Sequence, residues 1–136
     1  MDNSESRLND VFFYGLYMDP EVLDTKGVEP RKPRKGMVKG YCLRVGKMAT
    51  LLKTPNSEAH GMVYSLTHDE INKLYRGAGL DAYVAEALLV QLEDNEQVAA
   101  LCCNLLVPPG AGEENPEYVT RLIQCMNKLG LPLPDA

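Results

Sequence analysis

The sequence predicts an α+β fold with a curled, mostly antiparallel sheet, and three observations predict it. Strand-like and helix-like segments are interspersed, about six of the first and three of the second. No regular βαβ repeat orders them, which argues against a doubly wound parallel sheet. The two longest strand segments, 83–93 and 97–107, are joined by Asp94-Asn95-Glu96, a hairpin connection.

Taken in order, residues 1–10 are polar and acidic and read as a disordered tail, with one domain over 11–136. Val11, Phe12, Phe13 and Tyr14 are β-branched or aromatic and read as a buried strand. Gly15 breaks it, because glycine takes backbone angles closed to other residues. Asp19 and Pro20 then supply an N-cap and a first helical residue for a short helix to about Asp24. A strand entering a tight turn in this way can gather backbone N–H groups around a carboxylate, and it also serves as a plain connection.

A polar loop is expected over about 25–35, where Arg31-Lys32-Pro33-Arg34-Lys35 reads as a solvated basic run. Strands follow at 37–44 and 48–53 around a tight Val45-Gly46-Lys47 hairpin. Thr54-Pro55-Asn56-Ser57 signals a turn, and 59–66 a further strand. Thr67-His68-Asp69-Glu70 is a capping box opening a helix that runs to about Arg76, with Ile71, Leu74 and Tyr75 on one face. After the long hairpin, Asn115 and Pro116 start a last helix. Tyr118, Leu122, Cys125, Met126 and Leu129 lie on it at helical spacing, and Gly130 ends it.

Composition narrows the function. At 136 residues, 45% hydrophobic and 24% charged, the chain is an ordinary soluble globular protein able to bury its own core. A net charge of −5 with one short basic run speaks against nucleic acid as a partner. No apolar run approaches the roughly 20 residues of a membrane helix, and residues 1–10 lack the apolar centre of a signal peptide. Cys42, Cys102, Cys103 and Cys125 show neither CxxC pairs nor Cys/His ligand spacing. Reduced thiols in a cytoplasmic protein, with no metal and no cofactor, are therefore expected. His60 and His68 have no Ser or Cys partner at meaningful spacing.

Several stretches together resemble the gamma-glutamylcyclotransferase-like family. Tyr14-Gly15-Leu16-Tyr17-Met18 stands where the family has a strand followed by Tyr-Gly-Ser or Tyr-Gly-Thr. Gly61-Met62-Val63-Tyr64 resembles its Gly-x-Val-Tyr strand. Leu74 through Tyr83 resembles the segment leading into the next strand. Asn115-Pro116-Glu117-Tyr118 and Leu129-Gly130-Leu131-Pro132 resemble its terminal helix. The resemblance spans Val11 to Pro132 and implies a small curled β-barrel with helices around it. Members usually continue past the position of Ala136, which leaves the natural C-terminus open. Active members cyclise a γ-glutamyl amide by attack of its own α-amino group, releasing 5-oxoproline. The Tyr-Gly loop holds the substrate, and a glutamate moves the proton.

The sequence departs from the family at that glutamate, where Ala78 matches its position. A methyl group transfers no proton, and general acid–base help is worth about 10²–10⁴-fold. Two carboxylates are candidates to replace it. Glu86 shares strand parity with Val84, Leu88, Val90 and Leu92, an apolar face of the kind that suits a proton relay. Asp81 lies in the loop before the strand, where it also suits a turn. The ligand-binding set implied by the resemblance is Tyr14, Gly15, Leu16, Tyr17, Met18, Tyr83 and Tyr118.

Three readings follow. In the first, the chain keeps the family pocket without its chemistry and binds a small carboxylate or amide, γ-glutamyl or 5-oxoproline-like. In the second, it is an active cyclotransferase that uses Glu86 or Asp81. In the third, it is an interaction module whose Leu131-Pro132-Leu133-Pro134 segment docks a partner or a second copy as a homodimer.

Overall fold

The computed structural model describes residues 6–75 and 82–134. Among them five strands close into a barrel, with three α-helices packed around it. In chain order these are β1 (Asn9–Phe13), α1 (Pro20–Thr25), β2 (Arg31–Val45), β3 (Ala49–Leu66), α2 (His68–Leu74), β4 (Tyr83–Leu92), β5 (Gln97–Leu105) and α3 (Pro116–Leu129). One 3-10 turn, Leu16–Met18, lies between β1 and α1. Around the barrel the order is β1-β3-β2-β4-β5, antiparallel throughout except at the closing pair. There Val11 of β1 meets Leu101 of β5 in parallel.

Side-chain alternation on β1 divides the core in two. Phe12, with Tyr14 beyond the strand end, packs inside the barrel against Val38, Val63, Val90 and Cys102. Val11 and Phe13 face outward against Met18, Leu23, Leu122 and Met126, which belong to the 3-10 turn and the helices. The uninterrupted apolar run in the sequence thus serves two cores at once. The strand also starts earlier than that run, at Asn9, and Asp10 pairs with Arg34 at 2.8 Å.

Two expectations for the β2–β3 ladder are corrected. The segments 48–53 and 59–66 are a single strand, so the sheet has five strands and not six. The Thr54–Ser57 turn signal is real locally but makes a bulge. Pairing passes from Tyr41↔Lys53 to Lys39↔Glu58, so residues 54–57 face only Gly40. Gly40 (φ 82) and Asn56 (φ 65) both take the left-handed conformation that such a kink requires. The basic run 31–35 is likewise the start of β2 and not a loop. A register shift between Arg31 and Arg34 brackets Pro33, which has no N–H to give to a ladder. The Arg34 guanidinium donates to Asp10 and to Ser65 Oγ, and this bond holds the Asp10 carboxyl below its ordinary range.

The capping box forms as the sequence predicts, and it does more than cap. The Glu70 backbone N–H donates to Thr67 Oγ1, and the Glu70 carboxylate accepts from the Thr67 N–H at 2.9 Å. The same carboxylate accepts from the Glu29 N–H at 2.9 Å and from Arg31 Nη1 at 2.8 Å. Burial alone would raise the Glu70 carboxyl. The Arg31 guanidinium and the two backbone N–H groups outweigh it and hold the group at about 2.

Helix α3 begins on an Asn115 side-chain cap and ends with Gly130 left-handed at φ 73. The Leu131 N–H then bonds back to the Met126 carbonyl at 2.9 Å, which turns Leu131 into the core. The C-terminal apolar segment is therefore not uniformly exposed. Leu131 is buried, and Pro132, Leu133 and Pro134 are exposed. Among the described residues, no helix is long and apolar enough to cross a membrane, and no cluster of His, Cys, Asp or Glu is arranged to hold a metal. All four cysteines are free, and all but Cys42 are buried.

Candidate functional site

Where β1 leaves the barrel, Tyr14 turns inward and its hydroxyl donates to the Cys103 carbonyl at 2.7 Å. Gly15 follows in extended backbone (φ −111), so the angle itself would suit any residue. What demands glycine there is space, because a Cβ would lie 2.4 Å from the Tyr118 hydroxyl oxygen. That oxygen accepts the Leu16 N–H at 3.1 Å and so ties the loop to α3. The N–H groups of Met18 and Asp19 close the 3-10 turn on the carbonyls of Gly15 and Leu16. The Asp19 side chain caps α1, as the Asp-Pro pair predicts.

Beside this loop lies a cavity of about 300 Å³. Its wall is largely tyrosine: Tyr14, Tyr17, Tyr75, Tyr83 and Tyr118. Tyr17 stacks edge-on against Tyr75, which in turn leans on Tyr83. Three of the hydroxyls are engaged by backbone carbonyls. Tyr14 donates to Cys103, Tyr17 to Leu74 at 2.7 Å, and Tyr83 to Ala49. Among the described residues, no acceptor takes the Tyr118 hydroxyl proton. Burial raises all five phenols above their ordinary range, so all five are neutral hydroxyls at neutral pH.

The charged side chains in the wall are all cationic. Lys26, Lys47 and Arg121 line the cavity, and no carboxylate does among the described residues. None of the three is held in an ion pair with a described residue. An apolar aromatic pocket with unpaired cations and one donor hydroxyl is suited to a small anionic ligand.

The structure brings together Tyr14, Gly15, Leu16, Tyr17, Tyr83 and Tyr118 from the set implied by the sequence. Met18 does not join them. It is fully buried behind the loop, where its carbonyl accepts the Tyr64 hydroxyl at 2.6 Å. Glu86 is half-buried, directly across the ladder from Cys102, whose side chain packs inside the barrel. It is not among the cavity-lining residues. Ala78 and Asp81 lie outside the described residues. His60 Nε2 sits 3.2 Å from Glu58, and His68 is exposed at the start of α2.

Sequence reasoning missed Tyr75 and all three cations. Arg121 carried a usable signal, since it follows Tyr118 by three residues on one helix and so shares its face. Lys26 and Lys47 carried none. Each is an ordinary turn lysine until the barrel closes beside it.

The profile of the family described as "Gamma-glutamyl cyclotransferase, AIG2-like" matches residues 11–119. Among solved structures, a protein described as gamma-glutamyl cyclotransferase superposes with a TM-score of 0.78 at 18% identity, covering 93% of this chain and 82% of its own. An uncharacterised human protein gives 0.75 at 19% identity, covering 96% of this chain and 83% of its own. An Arabidopsis thaliana protein gives 0.67 at 23% identity, covering 94% and 91%. At these identities the structural likeness concerns the fold. A search of curated protein sequences found no significant match.

Proposed function

The chain belongs to the gamma-glutamyl cyclotransferase, AIG2-like family, and from that premise we propose that it binds a small carboxylate or amide without the family's usual acid–base glutamate. The ligand is of γ-glutamyl or 5-oxoproline type, and it sits beside the Tyr14-Gly15 loop. One observation carries the reading: three unpaired cations and no carboxylate among the described residues line a tyrosine-walled cavity at that loop. Lys47 and Arg121 supply charge for the ligand's carboxylate, and the Tyr118 hydroxyl supplies a donor for its amide or lactam oxygen. The tyrosine rings exclude water and receive the apolar part of the ligand. Ala78, at the position that matches the glutamate, offers nothing to carry the proton from the attacking amine to the leaving one.

One specific observation favours a second reading, an active enzyme whose relay is Asp81. The stretch that holds Ala78 and Asp81 is bounded by Tyr75 and Tyr83, and both of these line the cavity. Glu86 shares the barrel-interior face with Cys102 but is not among the cavity-lining residues, so it lacks this support.

The test is 5-oxoproline release from a panel of γ-glutamyl amines and γ-glutamyl amino acids, with Ala78→Glu beside the parent and 5-oxoproline binding titrated in both. The first reading expects binding by the parent and release only by Ala78→Glu. Release by the parent that disappears in Asp81→Asn establishes the second reading instead. Neither release nor binding by either protein overturns both.

A further inference from the structure

The cavity's Lys47 stands on the β2–β3 hairpin, and that hairpin is gripped from two sides. On the cavity side the Ala49 carbonyl accepts the Tyr83 hydroxyl. On the far side it meets the loop between β5 and α3. The Glu113 carboxylate accepts the Lys47 N–H at 3.2 Å with one oxygen and the Gly110 N–H at 2.6 Å with the other. The Arg44 guanidinium, from the end of β2, donates to the Gly110 carbonyl at 2.6 Å. Gly46 packs so closely on this loop that a Cβ would lie 2.5 Å from Pro109 Cβ and 3.0 Å from Glu113 Cβ.

We infer that Glu113 is a positioning residue of the cavity, fixing through the hairpin the place at which Lys47 meets a ligand; this rests on the carboxylate reading above. The geometry separates two roles within Lys47. Its backbone N–H is held by Glu113, while no ion pair joins its ammonium to Glu113 or to any other described carboxylate. The carboxylate therefore fixes the residue without neutralising it through direct contact. The Gly110 and Lys47 N–H bonds hold the Glu113 carboxyl below its ordinary range, so the grip is in place at neutral pH. A flexible hairpin would have to be ordered on binding, at a cost in affinity, and a clamped one is already ordered.

Two measurements test this. The first is a double-mutant cycle on the affinity for 5-oxoproline, read by titration calorimetry. Lys47→Met is expected to weaken binding about tenfold and Glu113→Ala about fivefold, with the double variant no weaker than Lys47→Met alone. A general loosening of the fold would instead multiply the two losses, and that result overturns the inference, as does wild-type affinity in Glu113→Ala. Lys47→Met binding like the parent also overturns it, while a carboxylate ligand held by Arg121 and Tyr118 still stands. No binding by the parent overturns both. The second measurement needs no ligand. Amide hydrogen exchange at Lys47 and Gly110 is expected to rise at least about tenfold in Glu113→Ala, with the Val63 amide in the barrel unchanged. Unchanged exchange at Lys47 overturns the inference whatever the ligand.

Discussion

Two polar regions flank the outer core, and they treat charge in opposite ways. At Glu70 one carboxylate meets one guanidinium and two backbone N–H groups, so the available bonding capacity is filled inside the protein. At the cavity three cations stand along a wall with no described acid among them, and the Tyr118 hydroxyl proton has no acceptor among the described residues. A saturated cluster has nothing left for a ligand and so acts on stability. An unsaturated one has bonding capacity to offer, and its charges contribute little to folding until something binds. Exposure follows the same divide, since Glu70 is buried while Lys26, Lys47 and Arg121 are exposed. The separation that bears on a ligand lies in whether each group already has its complement among the described residues.

That contrast breaks most sharply at Glu70. Glu70→Gln leaves half-covered Arg31 with only the exposed Glu29 as countercharge, takes the carboxylate from the Thr67 and Glu29 N–H groups, and is expected to destabilise the fold by roughly 3 kcal/mol. This would appear as a fall of about 10 °C in the thermal midpoint by scanning calorimetry, with ligand binding intact. The next largest effect belongs to the cavity. Gly15→Val forces the Tyr118 hydroxyl away from the loop, and 5-oxoproline affinity is expected to fall at least about 100-fold, or about 2.7 kcal/mol, by titration. A variant that binds normally would show that the loop and Tyr118 do not frame the ligand.

Acid should act on the first region. The Glu70 carboxyl is held at about 2 against an ordinary 4.5, so its contribution is complete above about 4.5 and is lost as pH falls towards 2. Denaturant titration between pH 6 and pH 3 is expected to show a loss on the order of 2 kcal/mol that Glu70→Gln lacks. The smallest effect sharpens the comparison from the other side. Arg121→Met removes a cation that has no described partner. It should weaken 5-oxoproline binding about tenfold while leaving the thermal midpoint within roughly one degree. A large loss of stability there would make Arg121 structural, like Arg31.

Local chemistry made much of the fold legible. The Asp19 and Asn115 caps, the Thr67–Glu70 box, the Gly130 stop and the Asp94–Glu96 turn all rest on neighbours a few residues apart, and all are present as read. The Thr54–Ser57 stretch was misread for the same reason that the others were read correctly. Its residues do favour a turn, but the long partner strand absorbs that turn as a bulge opposite Gly40. Pro33 misled in the same way, since a register shift accommodates it within β2.

The helix caps, the hairpin turn and the Tyr14-Gly15 loop were thus set by the sequence alone, because caps, turns and alternation depend on a few residues of chain, whereas several strand ends were not. Only the tertiary structure decided that Val11 and Phe12 serve different cores, that Glu70 is bonded by Arg31, and that Lys26, Lys47 and Arg121 share one cavity. Those are contacts between residues dozens of positions apart. Their geometry follows from barrel closure, and no local pattern encodes which charges closure will pair and which it will leave open.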